Sequence, residues 1–207
     1  MQVDTLPVGP LETNCYLATC QKTREALLID PGWNDPALVQ AIENQGAVVK
    51  AIALTHAHFD HIGGLAALYE HTGAPLIMHQ ADVPLLVRRG GADEWGIPIR
   101  PAPMPDRLVK EGDQVEIGSL HFEVLFTPGH TPGHICLYEA SKNVLFDGDV
   151  LFKQGIGRTD LPGGSMEKLL DSIQHKLLGL PDETVVYPGH GPATTIGEER
   201  FSNPWLA

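Results

Sequence analysis

The apolar run Val48–Thr55 (VVKAIALT) passes without a linker into His56-Ala57-His58-Phe59-Asp60-His61. Its β-branched, mostly apolar composition predicts a strand covered on both faces, so packed layers must lie on either side of it. Four ligand-type side chains within six residues then fall at a strand-to-helix turn, where they can converge on one small volume. Imidazole nitrogens and carboxylate oxygens together suit Zn, Fe or Mn. The rival reading is a polar turn in which Asp60 caps the helix opening at Gly63-Gly64 and the histidines are solvated. That reading serves for any single histidine but poorly for all four side chains after an apolar strand.

Three further segments repeat the context of a ligand-type residue just after a strand, beside glycine. Thr127-Pro128-Gly129-His130 follows a strand over 120–126, Phe146-Asp147-Gly148-Asp149 one over 144–146, and Tyr187-Pro188-Gly189-His190 one over 184–187. Glycine at such places lets the backbone turn tightly and approach a shared centre. Each segment alone is an ordinary turn. Together, four strand ends delivering His and Asp to one edge form a constellation found at α/β active sites. Five His and two Asp suffice for two metals if one carboxylate bridges.

The rest of the chain reads as alternating short strands and helices. A hairpin joins 15–19 to 26–30; Asp35 and Pro36 open a helix that Gly46 stops; a second helix runs over about 63–72 and a third over 81–89. Strands follow at 75–79, 114–117, 120–126, 135–138, 144–146 and 184–187, with a helix capped by Ser165 reaching about 178. The proline-rich loop Gly90–Asp106 is long enough to border a site. Strands in both halves with helices interspersed suggest two sheets faced by helices, a four-layer α/β arrangement. With 207 residues, 43% of them hydrophobic, one domain over 1–207 with a real core is expected.

A formal charge of −12 would repel a phosphate backbone, which argues against a nucleic-acid partner. Cys15, Cys20 and Cys136 match neither a disulfide framework nor a zinc finger, and reduced thiols in a cytoplasm are the simplest reading. The first residues show no signal-peptide pattern, and no apolar stretch has the length of a membrane span, so no membrane partner is expected.

Taken in order, Asp30 (in LLIDPG), HAHFDH, His130, Asp149 and His190 resemble the motifs of the metallo-β-lactamase fold superfamily, over nearly the whole chain. That resemblance implies an αββα sandwich. It implies one metal on His56, His58 and His130, a second on Asp60, His61 and His190, and Asp149 bridging. Asp30 matches a position that supports the ligand loop from behind. Asp149 stands where many family β-lactamases carry Cys, and the complete HxHxDH looks like hydrolases of the glyoxalase II type. Gly155-Ile156-Gly157-Arg158-Thr159-Asp160 with LPGGS is similar to short glyoxalase II-like proteins that lack the C-terminal helical domain of the full-length hydroxyacylglutathione hydrolases.

The implied activity is hydrolysis of small thioesters, S-D-lactoylglutathione to D-lactate and glutathione, by hydroxide held on two divalent metals, Zn before Fe or Mn. Asp60 would orient that hydroxide or accept its proton, and Arg158 would hold a substrate carboxylate. Arg158 falls where the family contacts the glutathione moiety, whereas Asp160 and Pro192 replace expected tyrosines. Persulfide dioxygenases also carry GRTD, so an iron-dependent dioxygenase acting on glutathione persulfide is the alternative, and a non-enzymatic metal-stabilised scaffold a further one. Among the other polar residues, His134 reads as packing or as support behind the ligands, His79 and Asp147 as turn residues, and His71, His121 and His175 as surface. Trp33 and Trp95 read as loop residues that wall the pocket or pack on the domain.

Overall fold

The computed structural model describes residues 1–206. The first sheet runs in order β1 (Gln2–Val8), β2 (Thr13–Thr19), β3 (Glu25–Ile29), β4 (Val48–Ala53), β5 (Leu76–His79) and β6 (Arg107–Val109). From β3 to β6 it is parallel, and β1–β2–β3 is antiparallel. The second sheet comprises β7 (Gln114–Ile117), β8 (Leu120–Phe126), β9 (Ile135–Glu139) and β10 (Val144–Gly148). After the small hairpin β11 (Leu151–Phe152) and β12 (Gly155–Ile156), it is completed by β13 (Val185–Pro188), parallel to β10, and β14 (Thr194–Thr195).

Strand alternation sorts the core into three layers. Leu17, Leu28, Ile52 and Leu54 face out of the first sheet and meet Leu38 and Ile42 of α1 (Pro36–Gln45). The short α2 (Phe59–Ile62) adds Ile62 to that layer, and α3 (Leu65–Thr72) adds Leu65 and Leu68. Their chain neighbours Ala18, Leu27, Ile29, Ala51 and Ala53 face inward, against Phe122, Val124, Ile135, Leu137 and Phe146 of the second sheet. Leu125, Cys136, Leu145 and Val186 then face outward again. Beyond α4 (Val83–Val87), the helix α5 (Met166–Ser172) covers them with Leu169, and α6 (Ile196–Ser202) with Ile196. A period of two thus sends successive residues to opposite faces, and the result is the αββα sandwich.

The helix boundaries follow the expected caps. Asp35 accepts the Ala37 N–H, Gly46 closes α1 in the left-handed region, and Ser165 accepts the Lys168 N–H. The helix expected over 63–72 is α3, starting at Leu65, and the separate short α2 precedes it over Phe59–Ile62; Gly63 and Gly64 between the two lie against the backbone of Gly32 and Trp33. Strand β4 leaves the ladder at Ala53, two residues before the end of the apolar run, and the Thr55 N–H goes to the Asp30 carboxylate instead. Strand β1 and helix α6 have no counterpart in the sequence reading. Among the described residues, no helix is long and apolar enough to cross a membrane.

Candidate metal centre

The C-terminal ends of β4, β8, β10 and β13 open on one edge of the sandwich, and the donors arrive there from both sheets. His56 and His58 follow β4, and Asp60 and His61 sit in α2; His130, Asp149 and His190 follow β8, β10 and β13. The close approach depends on glycine: a Cβ at Gly189 would collide with Asp149 Oδ1, and Gly148 (φ 52°) turns beside Thr55 and His134.

The donors divide into two trios. His56, His58 and His130 form one, with His58 Nδ1 at 2.8 Å and His56 Nε2 at 3.2 Å from His130 Nε2. Asp60, His61 and His190 form the other, with Asp60 Oδ2 at 3.1 Å from His190 Nε2 and 3.7 Å from His61 Nε2. Asp149 lies between them: Oδ1 is 3.5 Å from His61 Nε2, and Oδ2 is 3.5 Å from His130 Nε2 and 3.7 Å from His190 Nε2.

Hydrogen bonds behind the rings fix the tautomers. His130 Nδ1–H donates to the Arg158 carbonyl at 2.8 Å, His190 Nδ1–H to the Leu11 carbonyl at 3.1 Å, and His61 Nδ1–H to Asp30 Oδ2 at 2.9 Å. Thr55 Oγ1 spends its proton on Asp30 and so accepts from His56 Nδ1 at 3.1 Å. The Nε2 lone pairs of these rings therefore face the centre, as metal-ligating histidines require. The His56 and His130 Nε2 lone pairs face each other across 3.2 Å in a buried site, an arrangement that a cation between them would stabilise. A tetrahedral Zn with Zn–N near 2.05 Å would space its nitrogens by about 3.3 Å. His61 Nε2 and Asp149 Oδ1 are buried with no hydrogen-bond partner among the described residues, which is costly for polar atoms unless something else binds them. The donor set fits two cations.

Two buried side chains brace the loops from behind. Asp82 accepts from the Ala57 N–H, the Gly133 N–H and the Thr131 hydroxyl, tying the two loops that carry His56, His58 and His130. His134 accepts the Asp149 N–H at 3.1 Å on Nε2 while Nδ1 faces the Thr127 hydroxyl, so it supports Asp149 from behind. His79 accepts the Ala81 N–H and stacks on Phe126, a turn residue away from the centre. Asp147 accepts the Leu151 N–H within its turn but is fully buried.

The titration behaviour separates the trios. Burial pushes His56 well below the ordinary imidazole value, and burial with the adjacent His130 takes His58 to about 3. Burial would also lower His61, but Asp149, Asp60 and Asp30 hold it well above the usual value. His190 is likewise raised, its burial outweighed by Asp60 and Asp149. Burial works to raise Asp149, yet His61, His130 and His190 hold it far below the carboxylate range.

Above the centre opens a cavity of about 710 Å³. Trp95 and Ile97 line it, so the loop expected to border a site does so, whereas Trp33 packs in the outer core layer. Arg158 is on the cavity wall, exposed, with Nε and Nη2 both 2.8 Å from the Asp160 carboxylate oxygens.

The model of the Metallo-beta-lactamase superfamily matches residues 8–190. The chain belongs to that superfamily. Among curated relatives, this superfamily member is 42% identical to the probable metallo-hydrolase YqgX of Bacillus subtilis, over 97% of this chain and 95% of that one. It is 41% identical to hydroxyacylglutathione hydrolase GloC of Haemophilus influenzae, over 100% of this chain and 98% of that one. Among solved structures, BLEG-1 B3 metallo-β-lactamase superposes with a TM-score of 0.94 at 41% identity, covering 99% of both chains. TTHA1623 in a di-iron-bound form gives 0.90 at 42% identity, covering 99% of this chain and 100% of that one. ETHE1 from Myxococcus xanthus gives 0.82 at 33% identity, covering 99% and 84%. The αββα sandwich with a metal-donor cluster at the strand ends is thus a metallo-hydrolase superfamily fold in this chain.

Proposed function

We propose that this chain is a thioester hydrolase of the glyoxalase II type, acting on S-D-lactoylglutathione or a similar small thioester. The observation that carries the reading is the pair of partnerless buried donors, His61 Nε2 and Asp149 Oδ1, where two complete trios meet beneath an open cavity. The likeness to GloC supports the substrate class. His56, His58 and His130 would hold one cation, Asp60, His61 and His190 the other, with Asp149 shared. Divalent cations there, Zn before Fe or Mn, would lower the pKa of a water to about 7 and polarise a carbonyl oxygen.

The chain's own residues supply the rest. Asp60 Oδ2 faces His190 and accepts from the Thr13 hydroxyl at 3.2 Å, while Oδ1 takes no hydrogen bond among the described residues. Asp60, on the cavity wall, orients the attacking water and receives its proton. Arg158 leaves Asp160 to take a substrate carboxylate; both groups are exposed, so solvent screens the pair it gives up and little is lost. Thioester hydrolysis breaks C–S as water forms C–O, with one water proton ending on the thiol.

One second reading has a specific observation behind it. The run Gly157-Arg158-Thr159-Asp160, which resembles that of persulfide dioxygenases, favours an iron-dependent dioxygenase of glutathione persulfide. It would use one iron on two His and one Asp and leave His61 and His190 out. The deciding experiment is a set of assays on metal-quantified protein: S-D-lactoylglutathione hydrolysis, O2 uptake with glutathione persulfide, and a β-lactam as the BLEG-1-like control. Hydrolysis with close to two metals per chain supports the proposal. O2 uptake with one iron overturns it.

A further inference from the structure

The cavity above the centre has two kinds of wall. Its polar lining is His58, Asp60, His130, Asp149 and His190, all proposed donors, together with Arg158. Apart from glycine, everything else lining it is apolar, chiefly Leu11, Phe59, Trp95, Ile97, Phe152 and Leu161. These side chains come from separate segments of the chain, so the apolar wall is a property of the assembled site and not of one loop. Leu11 and Trp95 are 50% and 59% exposed at its mouth, large apolar groups with nothing over them. Arg158 is the single cation on the lining, and Asp160 already engages it.

A lactoyl group is small and carries a hydroxyl, so it would leave most of a cavity of about 710 Å³ and its apolar wall unused. Glutathione brings two carboxylates and an ammonium, for which the lining offers one guanidinium. The hydrophobic surface must therefore be matched by the other half of the substrate. We propose that the cavity selects thioesters whose acyl group is an apolar alkyl or aryl chain larger than lactoyl, with Arg158 anchoring a carboxylate of the thiol carrier at the rim. This rests on the thioester-hydrolase reading and narrows it. Each methylene moved from water onto the wall strengthens binding about two- to four-fold, depending on how fully it is covered.

The test compares kcat/KM for S-acetyl-, S-butyryl-, S-hexanoyl- and S-D-lactoylglutathione with the metal-loaded protein. The same chain-length dependence is read without turnover, by calorimetric binding of S-methyl- and S-hexylglutathione, which cannot be hydrolysed. The expected result is a rise of about two- to four-fold per methylene in both series. Trp95→Ala and Leu11→Ala, at exposed positions that leave the core intact, should flatten both slopes. Flat or inverted slopes, with lactoyl hydrolysed best, overturn the inference and leave the hydrolase reading standing. Length-dependent thioether binding with no thioester turned over supports the apolar subsite and overturns the hydrolase reading instead.

Discussion

His61 is held from behind by Asp30, whose Oδ2 accepts the His61 Nδ1–H across 2.9 Å while Oδ1 accepts the Thr55 N–H at 2.8 Å. One buried carboxylate thereby orients a candidate ligand and ends the strand that delivers two more. Asp30 has φ 49°, a conformation that Asn also tolerates, so Asp30→Asn changes the hydrogen bonding without straining the backbone. Metal affinity should fall about 10- to 100-fold in this variant, measured by chelator competition. Unchanged affinity would show that His61 is oriented by something other than Asp30.

Asp149 should matter to both trios. Asp149→Ala is expected to lower the metal content of the protein below one per chain and to remove most hydrolysis, read by elemental analysis beside activity. Two tightly held metals in the variant would mean that Asp149 does not bridge.

Acid should empty the trios one after the other. A cation competes with protons for each imidazole, and the proton wins at higher pH where the pKa is raised. His61 and His190 are raised and His56 and His58 are lowered. As pH falls through the raised values of His61 and His190, which lie above the ordinary imidazole value, the Asp60–His61–His190 cation should leave first. Metal-to-chain ratios across an acid series should step from two to one before reaching zero. Simultaneous loss of both would contradict this order.

Arg158→Ala separates the side chain from the backbone. The His130 ring rests on the Arg158 carbonyl, which the variant keeps, so the ligand geometry should survive. KM for a glutathione thioester should rise about ten-fold with kcat little changed. A comparable loss in kcat for thioesters without a carboxylate would mark a structural role.

Helix α6 clamps the hairpin that carries part of the cavity wall. The fully buried Glu199 accepts from the Gln154 N–H, the Thr194 hydroxyl and Asn203, and Asn203 donates to the Gly155 carbonyl. Glu199→Ala should destabilise the fold by about 3 kcal/mol, read by denaturant unfolding, since it strands buried donors. A change within about 0.5 kcal/mol would show that solvent replaces the carboxylate easily.

What the sequence made legible was what local pattern dictates. The apolar runs, the caps at Asp35 and Ser165, and the ligand-type residues after each strand needed only near neighbours to be read. Strand β1 was hidden because it lies at a sheet edge, half-buried, with Pro7 and mixed polar residues instead of an apolar run. Helix α6 follows its Thr195 cap with glycine and charged residues, and it is fixed by Glu199 and Asn203 more than by an apolar stripe. The supports of the centre were hidden for another reason. Asp82 and the Leu11 and Arg158 carbonyls act on side chains far away in the chain, and no spacing rule joins them. Asp30, named from resemblance alone as a support of the ligand loop, accepts from His61 and from Thr55.

His56, His58, Asp60 and His61 hang from one sheet, and His130, Asp149 and His190 from the other. Each trio draws on both halves of the sandwich, so any cation seated there acts as a rivet through the seam between them. The inner core zips the two sheets together along their length with apolar side chains, but at this edge the seam is closed by polar groups aimed at a common point. The mouth of the sandwich and its tool would thus be one object: what performs the chemistry would also keep the two halves from splaying.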